Sequence, residues 1–131
     1  MSEYPTDRRY TKDHEWAKID GETVVIGVSA FAVKQLGDVT LVSVDTAIGE
    51  KLEAGKAFGT IESVKTLSDL FAPINGTLTA INEALEDQPE LINDDCYEKG
   101  WMVKIKPASL DELEKLLDVT AYEKHVKSSD H

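Results

Sequence analysis

The sequence predicts a mainly β protein, a sandwich or barrel of short strands, on three observations. Short runs rich in β-branched and alternating apolar residues recur along the chain, with glycines and turn dipeptides between them. A pattern of glycine, strand, loop, glycine and strand occurs twice, from Gly37 and again from Gly76. Helical signals are confined to one short segment after Val28 and to the C-terminal part of the chain.

In chain order, Tyr10 to Lys18 and Thr23 to Val28 flank Asp20-Gly21, a turn dipeptide, and give a first hairpin. Ser29 is placed to cap a short helix, with Phe31, Ala32 and Leu36 as its buried stripe and Gly37 as a left-handed stop. Val39 to Val44 resumes strand character, a turn follows at Ile48-Gly49, and Lys51 to Glu53 forms a short segment. "GDVTLVSV" from Gly37 and "GTLTAINE" from Gly76 match as first strands of the repeat, and "GKAFGTIES" from Gly55 and "GWMVKIK" from Gly100 match as second strands. Two pseudo-symmetric sheet units follow, the second enlarged by a polar loop, "EDQPELINDDCYEKG". Trp16, Phe58 and Trp101 are expected in the core. Toward the C-terminus, Ser109 with Glu112 and Thr120 with Glu123 have capping-box spacing. Leu110, Leu113, Leu116 and Leu117 recur at helical spacing as a stripe that packs on the sheets, and Lys127 to His131 is expected to be disordered.

A chain of 131 residues suits a single domain, 1–131, with a core at about 10–124 and flexible termini. The formal net charge of −11 disfavours nucleic acid and anionic membrane surfaces and suits protein partners with basic clefts. Cys96 is the only cysteine, which excludes an internal disulfide and a multi-thiolate zinc site; with no second thiol to resolve an oxidised form, it is expected to be a loop residue without a redox role. His14, His125 and His131 show no HExxH spacing and are expected on the surface. The N-terminal stretch lacks an apolar h-region, and the longest apolar-rich run, Thr23 to Val33, is too short to span a bilayer, so a cytoplasmic, monomeric protein is expected. No triad, phosphate loop or metal cluster can be assembled, which points away from an enzyme.

One lysine stands apart. In "GTIESVKTLSDLFAP", Lys65 lies between two strand-like runs, at or beside the tip of a tight hairpin. Ser63-Val64-Lys65-Thr66 contains no Gly or Asn, so a type I turn is expected there rather than a mirror-image turn. Gly59, Glu62, Val64, Lys65, Ser68-Asp69, Ala72-Pro73 and Gly76 together resemble the lipoyl-attachment segment of the glycine cleavage system H proteins. "YTKDHEW", "QLGD", "INEALED", "YEKGWMVKIKP" and "LDELEKLL" resemble further blocks of that family in the same order, over roughly residues 10 to 124. Ser29-Ala30, Asp45-Thr46-Ala47 and Cys96 depart from the family pattern, all outside the attachment segment.

The resemblance implies a lipoyl/biotinyl-type flattened β-barrel, a barrel-sandwich hybrid with short flanking helices and a C-terminal helical segment. It implies lipoic acid held as N6-lipoyllysine at Lys65, with Glu62, Ser63 and Val64 forming the segment that a lipoate ligase or octanoyltransferase recognises. Asp69 flanks that segment as a further acid that guides partners or merely borders a turn, and Glu15 is a candidate arm-contacting carboxylate or else a surface acid at a strand edge. The implied role is a carrier that moves the aminomethyl group of glycine from a PLP-dependent glycine decarboxylase (P protein) to a folate-dependent aminomethyltransferase (T protein). A dihydrolipoamide dehydrogenase (L protein) reoxidises the arm. A carrier relaying lipoyl groups to 2-oxoacid dehydrogenases and an unmodified β-domain acting as a binding module remain open at this point. Biotin carriage fits less well, since Val64 and Thr66 stand where biotin-accepting segments place methionines.

Overall fold

The first hairpin shows how turn chemistry sets the architecture. Strand β2 (Glu15–Asp20) pairs antiparallel with β3 (Thr23–Val28), with Asp20 opposite Thr23. The connection is therefore the two residues Gly21 and Glu22, one position later than the expected dipeptide. Gly21 has φ +63° and leads the loop, the glycine-first arrangement of tight hairpins that match strand twist. The expected strand from Tyr10 to Lys18 is broken: β1 (Arg9–Tyr10) ends where the chain turns at Thr11 to His14, and β2 starts afresh.

The computed structural model describes residues 4–129. Helix α1 (Ala30–Leu36) follows β3, then β4 (Val39–Val44), β5 (Lys51–Leu52), β6 (Ala57–Ser63), β7 (Leu67–Phe71) and β8 (Gly76–Ile81). Helices α2 (Ala84–Asp87) and α3 (Leu91–Asp95), strand β9 (Val103–Pro107) and helices α4 (Asp111–Glu114) and α5 (Val119–Ser129) complete the order. One sheet runs β1-β2-β3-β9-β8-β5 and the other β4-β6-β7, all pairs antiparallel. The sheets lie face to face without closing into a continuous barrel, and β5 leaves the small sheet's side to pair with β8 in the large one.

The main core lies between the sheets, where Val24, Ile26, Leu78 and Ile105 meet Phe58, Ile61 and Leu70. A second, aromatic core contains Tyr10, Trp16, Phe31 and Tyr122. Trp16 is buried there and Phe58 in the main core as expected, whereas Trp101 is half-buried at the edge of the aromatic cluster.

The internal repeat has a structural signature. The β4–β6 register shifts between Val39 and Leu41, and the β8–β9 register shifts between Leu78 and Ala80. The threonine inside each irregularity donates its hydroxyl to the partner strand, Thr40 to the Glu62 carbonyl at 3.2 Å and Thr79 to the Lys104 carbonyl at 3.1 Å. The first strands thus correspond as read from sequence. The second strands correspond with Glu62 over Lys104 rather than with Gly55 over Gly100.

Helix α1 is capped as expected: Ser29 Oγ accepts from Ala32 N–H at 3.4 Å, and Gly37 at φ +75° ends the helix with its N–H on the Val33 carbonyl. Phe31 and Leu36 are buried, Ala32 half-buried. The presumed polar insertion is instead partly helical, because α2 and α3 bury Leu85 and Ile92 in the main core, with Cys96 following at the C-cap of α3.

Both C-terminal capping boxes are corrected. Ser109 does accept from Asp111 N–H, but Glu112 turns away to take two hydrogen bonds from Asn75, at 3.0 Å from its N–H and 2.6 Å from its side-chain amide. Helix α5 begins before Thr120, and Asp118 caps it by accepting from Ala121 N–H at 2.8 Å. Asp118→Ala is expected to lower stability by about 1 kcal/mol, and Thr120→Ala to leave it nearly unchanged, measured by denaturant unfolding. Leu113 is buried and Leu116 and Leu117 pack partly, but Leu110 is 52 % exposed and lies outside the stripe. The tail is also corrected: Lys127 to Ser129 continue α5, while Asp130 and His131 lie outside the described residues.

Candidate functional site

The β6–β7 connection carries Lys65 on a braced turn. Ser63 N–H donates to the Thr66 carbonyl at 2.8 Å, and Ser63 Oγ accepts from the N–H groups of Lys65 and Thr66, both at 3.2 Å. Val64 N–H donates to the Asp38 carbonyl at 3.1 Å, tying the tip to the approach of β4. Neither Val64 nor Lys65 has positive φ, which agrees with the expectation against a mirror-image turn.

Lys65 is exposed, and its aliphatic stem runs alongside the end of α1. A Cβ placed on Gly37 would sit 3.3 Å from Lys65 Cε and 3.7 Å from Nζ. Gly37 thus serves twice, supplying positive φ at the helix stop and clearance for the lysine. Asn93 of α3 fixes this passage from both sides, donating to the Gly37 carbonyl at 2.7 Å and accepting from Val39 N–H at 2.9 Å. Asn93 was not singled out from the sequence; an asparagine in a polar stretch carries no mark of the segment it will bridge.

Glu62 is exposed between Leu41 of β4 and Leu67 of β7, its cross-strand partners, which are 50 % and 63 % exposed. Val64 at the tip is also exposed. Among the described residues no ion pair within 4.0 Å involves Lys65, Glu62 or Asp69.

A cleft of about 210 Å³ opens beside the turn. His14, Gln35, Thr66, Ser68 and Asp69 supply polar walls, Val28, Ile61 and Leu70 an apolar floor, and Glu15 a carboxyl group. Sequence reasoning had found Asp69 and Glu15 but not the others. The alternative of Glu15 as a surface acid is overturned: it is buried, because the alternation of β2 turns Glu15 and Ala17 inward and Trp16 to the aromatic cluster. Its Oε2 accepts from Phe71 N–H at 2.7 Å, joining β2 of the large sheet to β7 of the small one. Burial pushes the Glu15 carboxyl up to about 8, against the opposing pull of the Phe71 N–H, so it is largely protonated at neutral pH.

The histidines are corrected in part. His14 is half-buried, and burial together with the neighbouring His125 holds its imidazole below its usual range. His125 is half-buried with Nε2 3.0 Å from the Lys12 carbonyl, and His131 lies outside the described residues. No cluster of three or more His, Cys, Asp or Glu that could hold a metal occurs among the described residues, and none of their helices is long and apolar enough to cross a membrane. Cys96 is buried rather than in an open loop, and burial pushes its thiol up to about 11. In the native protein at pH 8 it should react with a thiol reagent at least about tenfold more slowly than in denaturant, as followed by absorbance.

A flattened two-sheet sandwich with a rigidly mounted, solvent-facing lysine at one hairpin tip and a cleft beside it is a carrier domain of the lipoyl/biotinyl type. The family model for the glycine cleavage H-protein matches residues 8–129. Proteins named glycine cleavage system H protein from Bacteroides thetaiotaomicron and Bacillus pumilus are 49% and 46% identical to the chain, covering 91% and 94% of it and 94% and 96% of their own lengths. A crystal structure of a glycine cleavage system H protein from Mycobacterium marinum superposes with TM-score 0.83 at 34% identity, over 97% of this chain and 99% of that one. The chain belongs to the glycine cleavage H-protein family, the carrier component of that system.

Proposed function

We propose that this chain is a single carrier domain, lipoylated on Lys65, that moves the aminomethyl group of glycine between the glycine decarboxylase and the aminomethyltransferase, with reoxidation by dihydrolipoamide dehydrogenase. The observation that supports this most is continuity: Thr66, the residue after Lys65, lines the cleft that holds Glu15. An arm rooted on Lys65 starts at the cleft's edge.

Lipoic acid, when bound, supplies the sulfur acceptor and the two-electron redox chemistry. The chain supplies the mounting. Ser63 and Asp38 fix the turn, so the root is held still while the tethered arm has a high effective concentration at a docked active site. The exposed Glu62, flanked by Leu41 and Leu67, and the exposed Val64 form the surface that a lipoate ligase or octanoyltransferase reads before acylating the amine. Ser63, expected to belong to that surface, is buried and acts through the turn it braces. Glu15 waits in the cleft as a neutral acid. An unprotonated cargo amine brought beside it takes the Glu15 proton, and the carboxylate and ammonium so formed hold the cargo by charge. Asp69 adds a second carboxyl to the cleft wall. A cytoplasmic monomer is the form in which this carrier visits its partners.

The test is reconstitution. The chain is incubated with lipoate, ATP and a lipoate ligase, analysed by intact mass and peptide mapping, and then combined with glycine and the three partner enzymes. One lipoyl adduct on Lys65 and glycine-dependent carbon dioxide release are expected. An adduct on another lysine, or full lipoylation without glycine turnover, would overturn the reading.

A further inference from the structure

His14 is the only non-glycine residue with positive φ among the described residues, at +70°. That conformation is rare for a side chain with a Cβ and persists where surrounding contacts over-determine it. Here the contacts come from three elements. The His14 N–H donates to the Thr11 carbonyl at 3.1 Å, and its carbonyl accepts from the N–H of Ser29, the N-cap of α1, at 2.9 Å. Its Nδ1 lies 2.8 Å from the hydroxyl of Tyr122 on α5, and that hydroxyl lies 2.6 Å from Ser29 Oγ. The Tyr122 hydroxyl thus links Ser29 Oγ, which also accepts from Ala32 N–H, to His14 Nδ1 in one continuous hydrogen-bonded chain. The His14 ring also packs on Phe31 at 4.5 Å and stacks on His125 at 5.4 Å.

The next residue is Glu15. Its backbone is clasped by Thr11, whose N–H donates to the Glu15 carbonyl at 2.9 Å and whose Oγ1 accepts from Glu15 N–H at 3.1 Å. A shift of one residue at this turn would bring Trp16 to the inner face in place of the carboxyl group. We propose that Tyr122 is a positioning residue: acting through His14, the C-terminal helix sets the register of β2 and holds the Glu15 carboxyl at the cleft for the loaded arm. This inference rests on the reading of the cleft as the arm's shelter. The groups around Glu15 are Thr11 and Asp13 from its own loop, Phe71 N–H from β7, and Asp69 and His14 in the cleft wall, the His14 Nδ1 being engaged with the Tyr122 hydroxyl.

Tyr122→Phe tests it, since the variant keeps the ring that stacks on Tyr10 at 4.5 Å and removes only the hydroxyl. The Glu15 carboxyl is titrated by carbon-13 NMR in the full chain without cofactor, so this readout does not need lipoylation. The expected result is a Glu15 midpoint lowered by about half a pH unit or more as water reaches the group. In lipoylated, aminomethyl-loaded protein, ammonia release should rise roughly threefold or more, while the rate of lipoylation stays within about twofold of wild type. In a His14→Gly background the same substitution should add nothing further to the midpoint shift. An unmoved midpoint overturns the proposal, including when the variant merely loses stability, and so does full additivity of the two substitutions. A lowered midpoint with unchanged ammonia release keeps Tyr122 as the residue that positions Glu15 and overturns the shelter reading instead.

Discussion

Lys65→Arg is expected to abolish lipoylation, and with it all glycine turnover in the reconstituted system, while the fold is untouched. Guanidinium keeps the positive charge but cannot serve as the amine that becomes an amide. The turn does not depend on the side chain, since its bonds run through Ser63, the Thr66 carbonyl and the Asp38 carbonyl. Among the described residues the exposed stem makes no ion pair within 4.0 Å, so the melting temperature should stay within about 2 °C of wild type. Intact mass and calorimetry on the same samples decide it. A lipoyl adduct on the variant would move the attachment site elsewhere.

Glu15→Gln should change how stability depends on pH. Glu15 titrates near 8 in the folded chain against a reference of 4.5, so the native state binds its proton more tightly than the unfolded chain does. The stabilisation from this group is fully present below about pH 4.5 and is lost as pH rises toward about 8. Glutamine cannot titrate, yet its side-chain oxygen can still accept from Phe71 N–H. The difference in unfolding free energy should therefore move in the variant's favour by up to roughly 1.4 kcal/mol per pH unit across that window. Denaturant unfolding at pH 5, 6.5 and 8 measures it, and parallel curves for the two proteins would remove Glu15 as a buried titrating group. The same variant should release its aminomethyl cargo faster, because an amide cannot become the counter-charge.

What was legible in the sequence was mostly local. The cap at Ser29, the stop at Gly37 and the turn at Ser63 to Thr66 depend on residues within a few positions of one another, and they form as expected. Helices α2 and α3 were missed because segments of four and five residues owe little to propensity and most to burial of Leu85 and Ile92; the spacing of Ile92 and Cys96 was the faint signal available. Asp118 and Thr120 are both good caps by type. The choice is made by tertiary pairing, since Leu117 exchanges two backbone hydrogen bonds with Tyr10 and so fixes where α5 can begin. Glu15 was ambiguous because β2 is buried on both faces near its start, which leaves alternation without an outside. Lys65 was found through the resemblance of its segment, whereas the cleft beside it joins residues from five elements and the loops between them, and no short pattern could mark it.

The brace that Asn93 places on the Gly37 to Val39 passage has a consequence for the order of events during synthesis. Strands β4, β6 and β7, with Lys65 among them, are complete once residue 71 has been made, and their pairings are between near neighbours in sequence. Asn93 comes later, and β3 must wait for β9, beginning at Val103, before the large sheet can join across its middle. Contacts of such long range close slowly, on the order of milliseconds to seconds. A nascent chain can thus display the hairpin lysine before the passage beside it has hardened, and an acylating enzyme sensitive to that passage would act only on chains released from the ribosome.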